Sequence, residues 1–334
     1  MSIKTSAPGN VFFFGEHSVV YERPAVLAAI NKRTYSEIEK RSDNRVEVES
    51  EGYGEIESSV EELRSKEYES HEDYNDDLDP IKDLIGIVAT EFDLDSGFDL
   101  KITSEIPKDS GGMSSSTAVL CSVLKALSEA FDLEIPKENY FKLVYPLQVK
   151  IHGGSASGSE ITSSSMGGYN RFVIDKSEDS AEFNFDSLGK QSYNLVIGDS
   201  GVEAMTGDTV PYVKRGWEKD KDSYEESFDQ IVNLVNKGEE ALVNGEAEKV
   251  GELMNENQSV LRIIGVSHPK LEKMIQNALD AGAHGAKLSG GGKGGIMLAL
   301  VPEGKEDRVA QAIEDAGGEA IITEVGVEGA RVEN

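Results

Sequence analysis

Two rhythms of apolar residues alternate along this chain. Short buried runs or period-two alternation predict strands at Val11-Phe12-Phe13-Phe14, Ala25 to Ile30, Thr34 to Ile38, Phe98 to Ile106, Tyr169 to Ile174, Tyr193 to Ile197, Gly285 to Leu288, Ile296 to Val301 and Ala320 to Val325. Apolar residues at helical spacing predict a helix from Ile81 to Phe92 behind Pro80, and another carrying Val119, Leu120, Val123, Leu124 and Leu127. Further helices are expected at Lys137 to Val149, kinked at Pro146, at Ser223 to Leu242, Ala247 to Ile263 and Pro269 to Ala281, and at Glu306 to Ala316. Ser267 is the expected cap of the helix behind Pro269, and Gly282 its stop. A change of composition around Lys176 to Lys190 marks a domain boundary that divides 1–180 from 181–334. No internal repeat of about 20 to 50 residues is visible.

Several stretches break these rhythms. Gly111 to Leu127 turns in one step from a glycine and hydroxyl cluster into a helix. Gly111 and Gly112 allow a ligand close to the backbone, Met113 follows, and Ser114, Ser115, Ser116 and Thr117 offer hydroxyls at the helix start. The unpaired amides of a first helical turn suit phosphate, so the stretch is either a phosphate cradle or an ordinary capped helix. Lys287 to Gly295, KLSGGGKGG, holds five glycines in nine residues. A hairpin needs one or two of them, so close backbone approach to a ligand explains the run better than a linker would between two apolar strands. Ala7-Pro8-Gly9-Asn10 and Gly15-Glu16-His17 bracket a buried run as turns; they put a carboxylate and an imidazole at a sheet rim, or simply on the surface. His152 to Tyr169 is too rich in Gly and Ser for a core element. Its Glu160 is a solvated loop residue, or a base if a phosphate site lies near. Arg41 to Asp79 is acidic and poor in apolar residues, an excursion with an edge strand near Val46 and Val48 and no expected chemistry.

The chain has 334 residues, enough for one large or two medium domains, and its formal charge is −29. That charge is spread along the sequence, which excludes a basic surface for nucleic acid or an anionic membrane. An acidic, well-solvated surface suits a salt-rich cytoplasm, and a nucleotide site in such a field is expected to work best at high ionic strength. The single cysteine, Cys121, rules out an internal disulfide and fits a reducing compartment. With no apolar run of membrane length and no signal-like start, a cytoplasmic protein is expected.

Taken together, Ala7-Pro8-Gly9 with Gly15-Glu16-His17, then Gly-Met-Ser-Ser-Ser after Pro107, then Lys287-Leu-Ser-Gly-Gly-Gly resemble the GHMP kinase superfamily over nearly the whole chain. The runs GEHSVVYERPAVLAAI, LVIGDSGVEAMTGDT and AGAHGAKLSGGG resemble its mevalonate kinase branch in archaeal form. The resemblance implies an α+β, two-lobed GHMP kinase fold, with a ribosomal-protein-S5-like N-terminal lobe, a ferredoxin-like C-terminal lobe and ATP between them. It implies transfer of the γ-phosphoryl of ATP to the 5-hydroxyl of mevalonate in isoprenoid synthesis. By position, Gly111 to Ser116 wrap the phosphates, with Thr117 completing the cradle. Ser116 helps hold Mg²⁺, and Glu16 and His17 line the mevalonate pocket. Thr206 faces nucleotide or substrate, and Gly290, Gly291 and Gly292 shape the cleft. A homodimer is compatible with the family, although no apolar stripe identifies a contact.

Three positions depart from the family pattern. Asn10 stands where the family has lysine, Glu160 where it has the catalytic aspartate, and Gln148 where it has a metal-binding glutamate. Uncompensated, the loss of such a charge slows transfer by about 10² to 10⁴-fold. Lys293, in a loop the family fills with glycine, is a candidate replacement cation or a solvated loop lysine. The resemblance also leaves room for a sibling kinase acting on phosphomevalonate, homoserine or a sugar, and for a nucleotide-binding relative without turnover.

Overall fold

The first strand carries a break in its own register, and that break helps to build the site. The protein is described by a computed structural model over residues 2–66, 74, 76–108, 111–152, 156–176, 181–189, 191–203 and 206–333; side chains are described for these except 175, 176, 181–183 and 206–208. Strand β1 (Ile3–Phe14) runs antiparallel to β2 (Ala25–Lys40), with register shifts between Pro8 and Asn10 and between Phe12 and Phe14. The expected turn Ala7-Pro8-Gly9-Asn10 is therefore an irregularity inside a strand. Pro8 has no amide to give to a ladder, and Gly9 lies where an added Cβ would stand 2.6 Å from the Met113 carbonyl oxygen. The two runs expected at Ala25 and Thr34 likewise join into one long strand.

The first lobe continues with β3 (Arg45–Ser50), β4 (Gly54–Ser59), α1 (Val60–Ser65), α2 (Asp79–Glu91) and β5 (Phe98–Ser104). It is completed by α3 (Ser115–Ala130), α4 (Tyr140–Ile151), α5 (Ser159–Met166), β6 (Tyr169–Lys176) and β7 (Ala181–Gly189). The β6–β7 hairpin spans the position 180/181 and keeps 181–189 on the first sheet. The second lobe comprises β8 (Tyr193–Asp199), α6 (Thr206–Lys219), α7 (Lys221–Asn244), α8 (Ala247–Ile263), α9 (Pro269–Asp280), β9 (Gly285–Ser289), β10 (Ile296–Leu300), α10 (Glu306–Asp315) and β11 (Glu319–Val325). A final short strand, β12 (Arg331–Val332), returns to pair with β1. The strands run β4-β3-β5-β2 and then β11-β8-β10-β9, joined where Val325 lies opposite Ile30. The whole is one mixed α+β sheet with helices packed on it, as the family resemblance implies.

Each lobe has its own core. Phe98, Leu120, Leu124, Leu127, Tyr140 and Val144 are buried between α2, α3, α4 and the first sheet. Phe13, Ile197, Phe228, Met274 and Leu298 fill the second core. Each large apolar side chain buried this way contributes about 1.5 to 3 kcal/mol. Cys121 faces the first core, and burial pushes its thiol pKa up, as packing alone would do.

Two local expectations are corrected and one helix is added. The Gly/Ser stretch before Tyr169 contains α5, whose Ser163, Ser164 and Ser165 are buried. Small side chains let this helix pack closely, and its polarity is partly satisfied inside, with the Ser165 hydroxyl donating to the Thr162 carbonyl at 3.2 Å. Helix α6, for which no element was expected, opens at Thr206. His268, not Ser267, caps α9, its Nδ1 accepting from the Lys270 amide at 3.2 Å.

The C-terminal segment braces α5 from behind. Buried Arg33 donates to the carbonyls of Glu328 at 2.8 Å and Gly329 at 2.7 Å, and the Ala330 amide donates to the Ser165 carbonyl at 3.0 Å. Among the described residues no helix is long and apolar enough to cross a membrane.

Candidate active site

Helix α3 starts without the cap its sequence suggested. Ser114 adopts a left-handed backbone, φ 55°, and its hydroxyl makes no capping bond to the helix. That hydroxyl donates instead to Asn10 Oδ1 at 3.0 Å. The first-turn amides of a 16-residue helix are thus left without a side-chain acceptor, at the positive end of its dipole. Gly111 and Gly112 are exposed just before this turn, while Met113 is buried and anchors it, its carbonyl accepting from the Asn10 amide at 3.1 Å.

Asn10 is the knot that ties this turn to α5. Its Nδ2 donates to the Glu160 carbonyl at 3.1 Å and to the Ser164 hydroxyl at 3.0 Å, so both amide protons are used. The Glu160 carboxylate accepts from Gln148 Nε2 and lies within hydrogen-bonding reach of Ser114, and the charge of His152 bears on it. Burial raises the Glu160 carboxyl pKa, and those partners oppose the rise. Gln148 also donates to Thr117 Oγ1 at 2.8 Å, while its own carbonyl oxygen is buried without a donor. Asn10, Ser114, Thr117, Gln148 and Glu160 therefore form one continuous cluster.

The second glycine run arrives from the other lobe. A Cβ added at Gly290 would have Gly112 Cα as its nearest neighbour, at 3.8 Å, and one at Gly112 would lie 2.9 Å from Ile296. The two glycine loops meet. Ser289 locks this contact to β1, its hydroxyl accepting from the Phe12 amide at 3.0 Å. Gly292 has φ 74° and backs onto the Val266 carbonyl, so no side chain fits there.

Glu16 and His17 join the same junction. Glu16 forms a fully buried ion pair with Lys287 of β9, and its second oxygen accepts from Asn257 Nδ2 of α8 at 3.2 Å. Lys287 also donates to the Leu288 carbonyl at 2.6 Å. Burial lowers the Lys287 pKa, and Glu16 holds the charge in place against it. His17, φ 62°, sets its Nε2 3.0 Å from the Gly291 carbonyl oxygen. A carbonyl only accepts, so the proton sits on Nε2 and Nδ1 is left as an acceptor. Burial brings the His17 pKa down to about 4, and the charges of Lys287 and Lys293 add to the fall.

Two hollows flank the junction. One of about 490 Å³, lined by Ser50, Tyr53, Tyr74, Ile81, Ser115 and Ser116, opens on the first turn of α3. The acidic excursion expected to carry no chemistry thus supplies one of its walls. A second, of about 880 Å³, lies between Gly111, Val202, Lys270 and Gly318. Of the residues singled out from sequence, Asn10, Glu16, His17, Met113 to Thr117, Gln148, Glu160 and Gly290 to Gly292 share one junction. Thr206 opens α6, and its side chain lies outside the described ones. Sequence reasoning missed Lys287 as the partner of Glu16, and Asn257 and Gln258 as the supports of β9, where Gln258 Oε1 accepts from the Leu288 amide at 2.9 Å. The signal was present: a lysine inside the buried strand GAKLS, and adjacent amides on the inner face of a helix.

The chain matches the family described as GHMP kinases N terminal domain over residues 80–168 and GHMP kinases C terminal over residues 239–319. It is 34% identical to a mevalonate kinase of Pyrococcus abyssi, covering 99% of this chain and 98% of that one. It is 35% identical to a mevalonate kinase of Thermococcus gammatolerans, covering 100% and 99%. Among solved structures, the Methanococcus jannaschii mevalonate kinase shares the fold at a TM-score of 0.79, 22% identity and coverage of 100% and 98%. The L. major mevalonate kinase in complex with R-mevalonate does so at 0.77, 24% identity and coverage of 96% and 95%. The chain belongs to the GHMP kinase family. With that membership it is an ATP-dependent small-molecule kinase.

Two outcomes follow from this geometry. Glu16→Gln leaves a buried ammonium without a counter-charge and is expected to lower the unfolding free energy in urea by about 3 to 5 kcal/mol, with Glu16→Gln/Lys287→Met recovering most of it. A loss below about 1 kcal/mol for the single variant would show the pair to be dispensable. The unfolded chain binds a proton at His17 below its ordinary value of 6.5, the folded chain only near 4, so stability falls as pH drops through that window. His17→Asn, which tolerates the left-handed backbone, is expected to remove roughly 3 kcal/mol of that fall, measured as the difference between wild-type and variant unfolding curves from pH 7 to 4. Identical slopes would contradict a buried neutral imidazole.

Proposed function

We propose that this chain transfers the γ-phosphoryl of ATP to the 5-hydroxyl of mevalonate, with Mg²⁺, as a cytoplasmic enzyme of isoprenoid synthesis. The observation that carries this reading is the meeting of the two glycine loops at Gly112 and Gly290 beside the Glu160 cluster. Full-length identity of 34% and 35% to archaeal mevalonate kinases supports the choice of acceptor.

The roles follow from what each group has left to offer. The uncapped first turn of α3 and the backbone of Gly111, Gly112 and Met113 receive the phosphates, and the hollow beside Ser115, Ser116 and Tyr53 receives the nucleoside. The Nδ1 lone pair of His17 accepts a substrate hydroxyl, while Gly290, Gly291 and Gly292 keep that side of the cleft open. Thr206 faces nucleotide or substrate from the second lobe. Glu16, paired inside, fixes the turn without touching substrate.

The acceptor hydroxyl gives its proton to the Glu160 carboxylate as its oxygen takes the γ-phosphorus and the bond to the β,γ-bridging oxygen breaks. A carboxyl pKa raised by burial makes Glu160 a stronger base than a solvated glutamate. Asn10, both of whose amide protons are engaged, positions the phosphate turn against Glu160. Mg²⁺ binds through few protein oxygens and mainly through substrate phosphates. The donor set fits that habit: the Ser116 hydroxyl and the unpartnered Gln148 carbonyl oxygen would hold the ion. When bound it neutralises charge on the transferring phosphoryl oxygens.

The commitment of Asn10 and the neutrality of Gln148 also favour a second reading, a relative that binds nucleotide without turnover. Purified protein in molar KCl with Mg-ATP decides between them. ADP release with mevalonate, and not with phosphomevalonate, homoserine or galactose, is expected, and Glu160→Gln is expected to lower kcat by about 10²-fold or more with ATP binding little changed. ATP binding by calorimetry without ADP release on mevalonate would favour the second reading and overturn the first.

A further inference from the structure

The turn that carries His17 is held in a shape its own sequence does not favour. Gly15 and Ala25 close the loop between β1 and β2 so tightly that a Cβ on Gly15 would stand 2.5 Å from the Ala25 Cα. Between them lies one 3₁₀ turn, Ser18–Tyr21, bracketed by two residues of positive φ that are not glycine. Glu22 behind it has φ 62° and ψ 29°, and His17 in front has φ 62° and ψ −47°, outside even the left-handed helical well. Such residues persist only where the surroundings over-determine them, and they gather where geometry serves a task.

Those surroundings come from both lobes. Val19 is buried with Leu27 and Phe172 of the first lobe, and His17 is bonded to the Gly291 carbonyl of the second. The far end of the turn leans on α6 and α7. The Tyr21 ring stacks on Phe228 of α7 with centroids 4.7 Å apart and tilts against Trp217 of α6 at 5.6 Å. One carboxylate joins these pieces. Glu225 of α7 accepts from the Trp217 indole nitrogen at 2.8 Å through one oxygen and from the Arg23 guanidinium at 2.8 Å through the other. Arg23 in turn donates to the Tyr21 carbonyl at 3.3 Å.

The ion pair of Arg23 and Glu225 is about a third exposed on both sides, so it adds little to stability. Its effect lies in where it puts the turn. Tyr21 and Arg23 stand four and six positions beyond His17, and the stretch between them and the imidazole is the closed, strained turn itself. A shift at Arg23 is therefore passed on to His17 and not absorbed by slack chain. The phosphate turn and the Glu160 cluster lie outside this set of contacts.

We propose that Glu225 is a positioning residue: its clasp on Arg23 and Trp217 holds the strained turn against the second lobe and so sets the His17 imidazole for the hydroxyl of the acceptor. The proposal rests on the kinase reading above for the identity of that acceptor.

Glu225→Ala removes both bonds of the clasp, and Arg23→Met removes one of them from the other side. For Glu225→Ala the expected result is a loss of about 5- to 20-fold in affinity for R-mevalonate by calorimetry, with the affinity for Mg-ATP unchanged as the control that the fold is intact. In turnover KM for mevalonate is expected to rise by a similar factor, with kcat moving less. Arg23→Met is expected to show part of the same loss, and the double variant no more than Glu225→Ala alone, because both substitutions act through one clasp. Unchanged mevalonate affinity, equal weakening of both ligands, or losses that add in the double variant would overturn the proposal and leave the kinase reading intact where the wild type turns over mevalonate. A wild type that binds mevalonate without turnover would overturn that reading, and the affinities of the variants would still decide the role of Glu225. A wild type that does not bind mevalonate would overturn both.

Discussion

The ion pair between Glu16 and Lys287 is the interaction on which the rest of the site depends. Both groups are removed from water, a cost of several kcal/mol per ion that only close pairing and further hydrogen bonds offset. Those further bonds are present: Asn257 serves the second carboxylate oxygen, and the Leu288 carbonyl takes another ammonium proton. The pair is more informative about geometry than about net stability, because it joins a turn of the first lobe to a strand of the second in one arrangement. That strand ends at Ser289, where the glycine run begins, and the turn ends at His17, which bonds into that run. Closing the pair thus fixes where the cleft's two walls stand.

A second knot sets the floor of the cleft. Asn10 ties the turn at Met113 and Ser114 to α5, and it does so at the register break beside Pro8 and Gly9 in β1. A lysine there would bring a charge but not this three-way bonding. Gln148 and Glu160 extend the same knot: the Gln148 amide donates to the Glu160 carboxylate, which sits on a helix braced by Arg33 and the C-terminal segment.

Much of this was legible in the sequence, and the exceptions have physical causes. Periodicity located the strands of the second lobe and the helices from α7 to α10 to within a few residues, because each buries one continuous apolar face. It failed at α5, where serine packs as a small residue and leaves no apolar stripe, and at Ala7-Pro8-Gly9-Asn10, where turn residues serve a bulge inside a strand. The glycine motifs were readable because close approach excludes side chains, and Gly112, Gly290 and Gly292 now lie at such contacts. Glu16 was legible as a polar residue at a sheet rim but not as half of a buried pair, since its partner lies 271 positions away. The wall supplied by Ser50 and Tyr53 was hidden in an acidic stretch whose composition speaks of solvent exposure and not of shape.

The central claim is that the phosphate turn of one lobe and the glycine loop of the other enclose the same pair of ligands. Amide hydrogen exchange on the full chain, with and without Mg-ATP and mevalonate, tests it most directly. The account predicts that peptides spanning 111–117 and 289–295 gain protection together when both ligands are present. Protection confined to one of these segments, or absent from both, would contradict it.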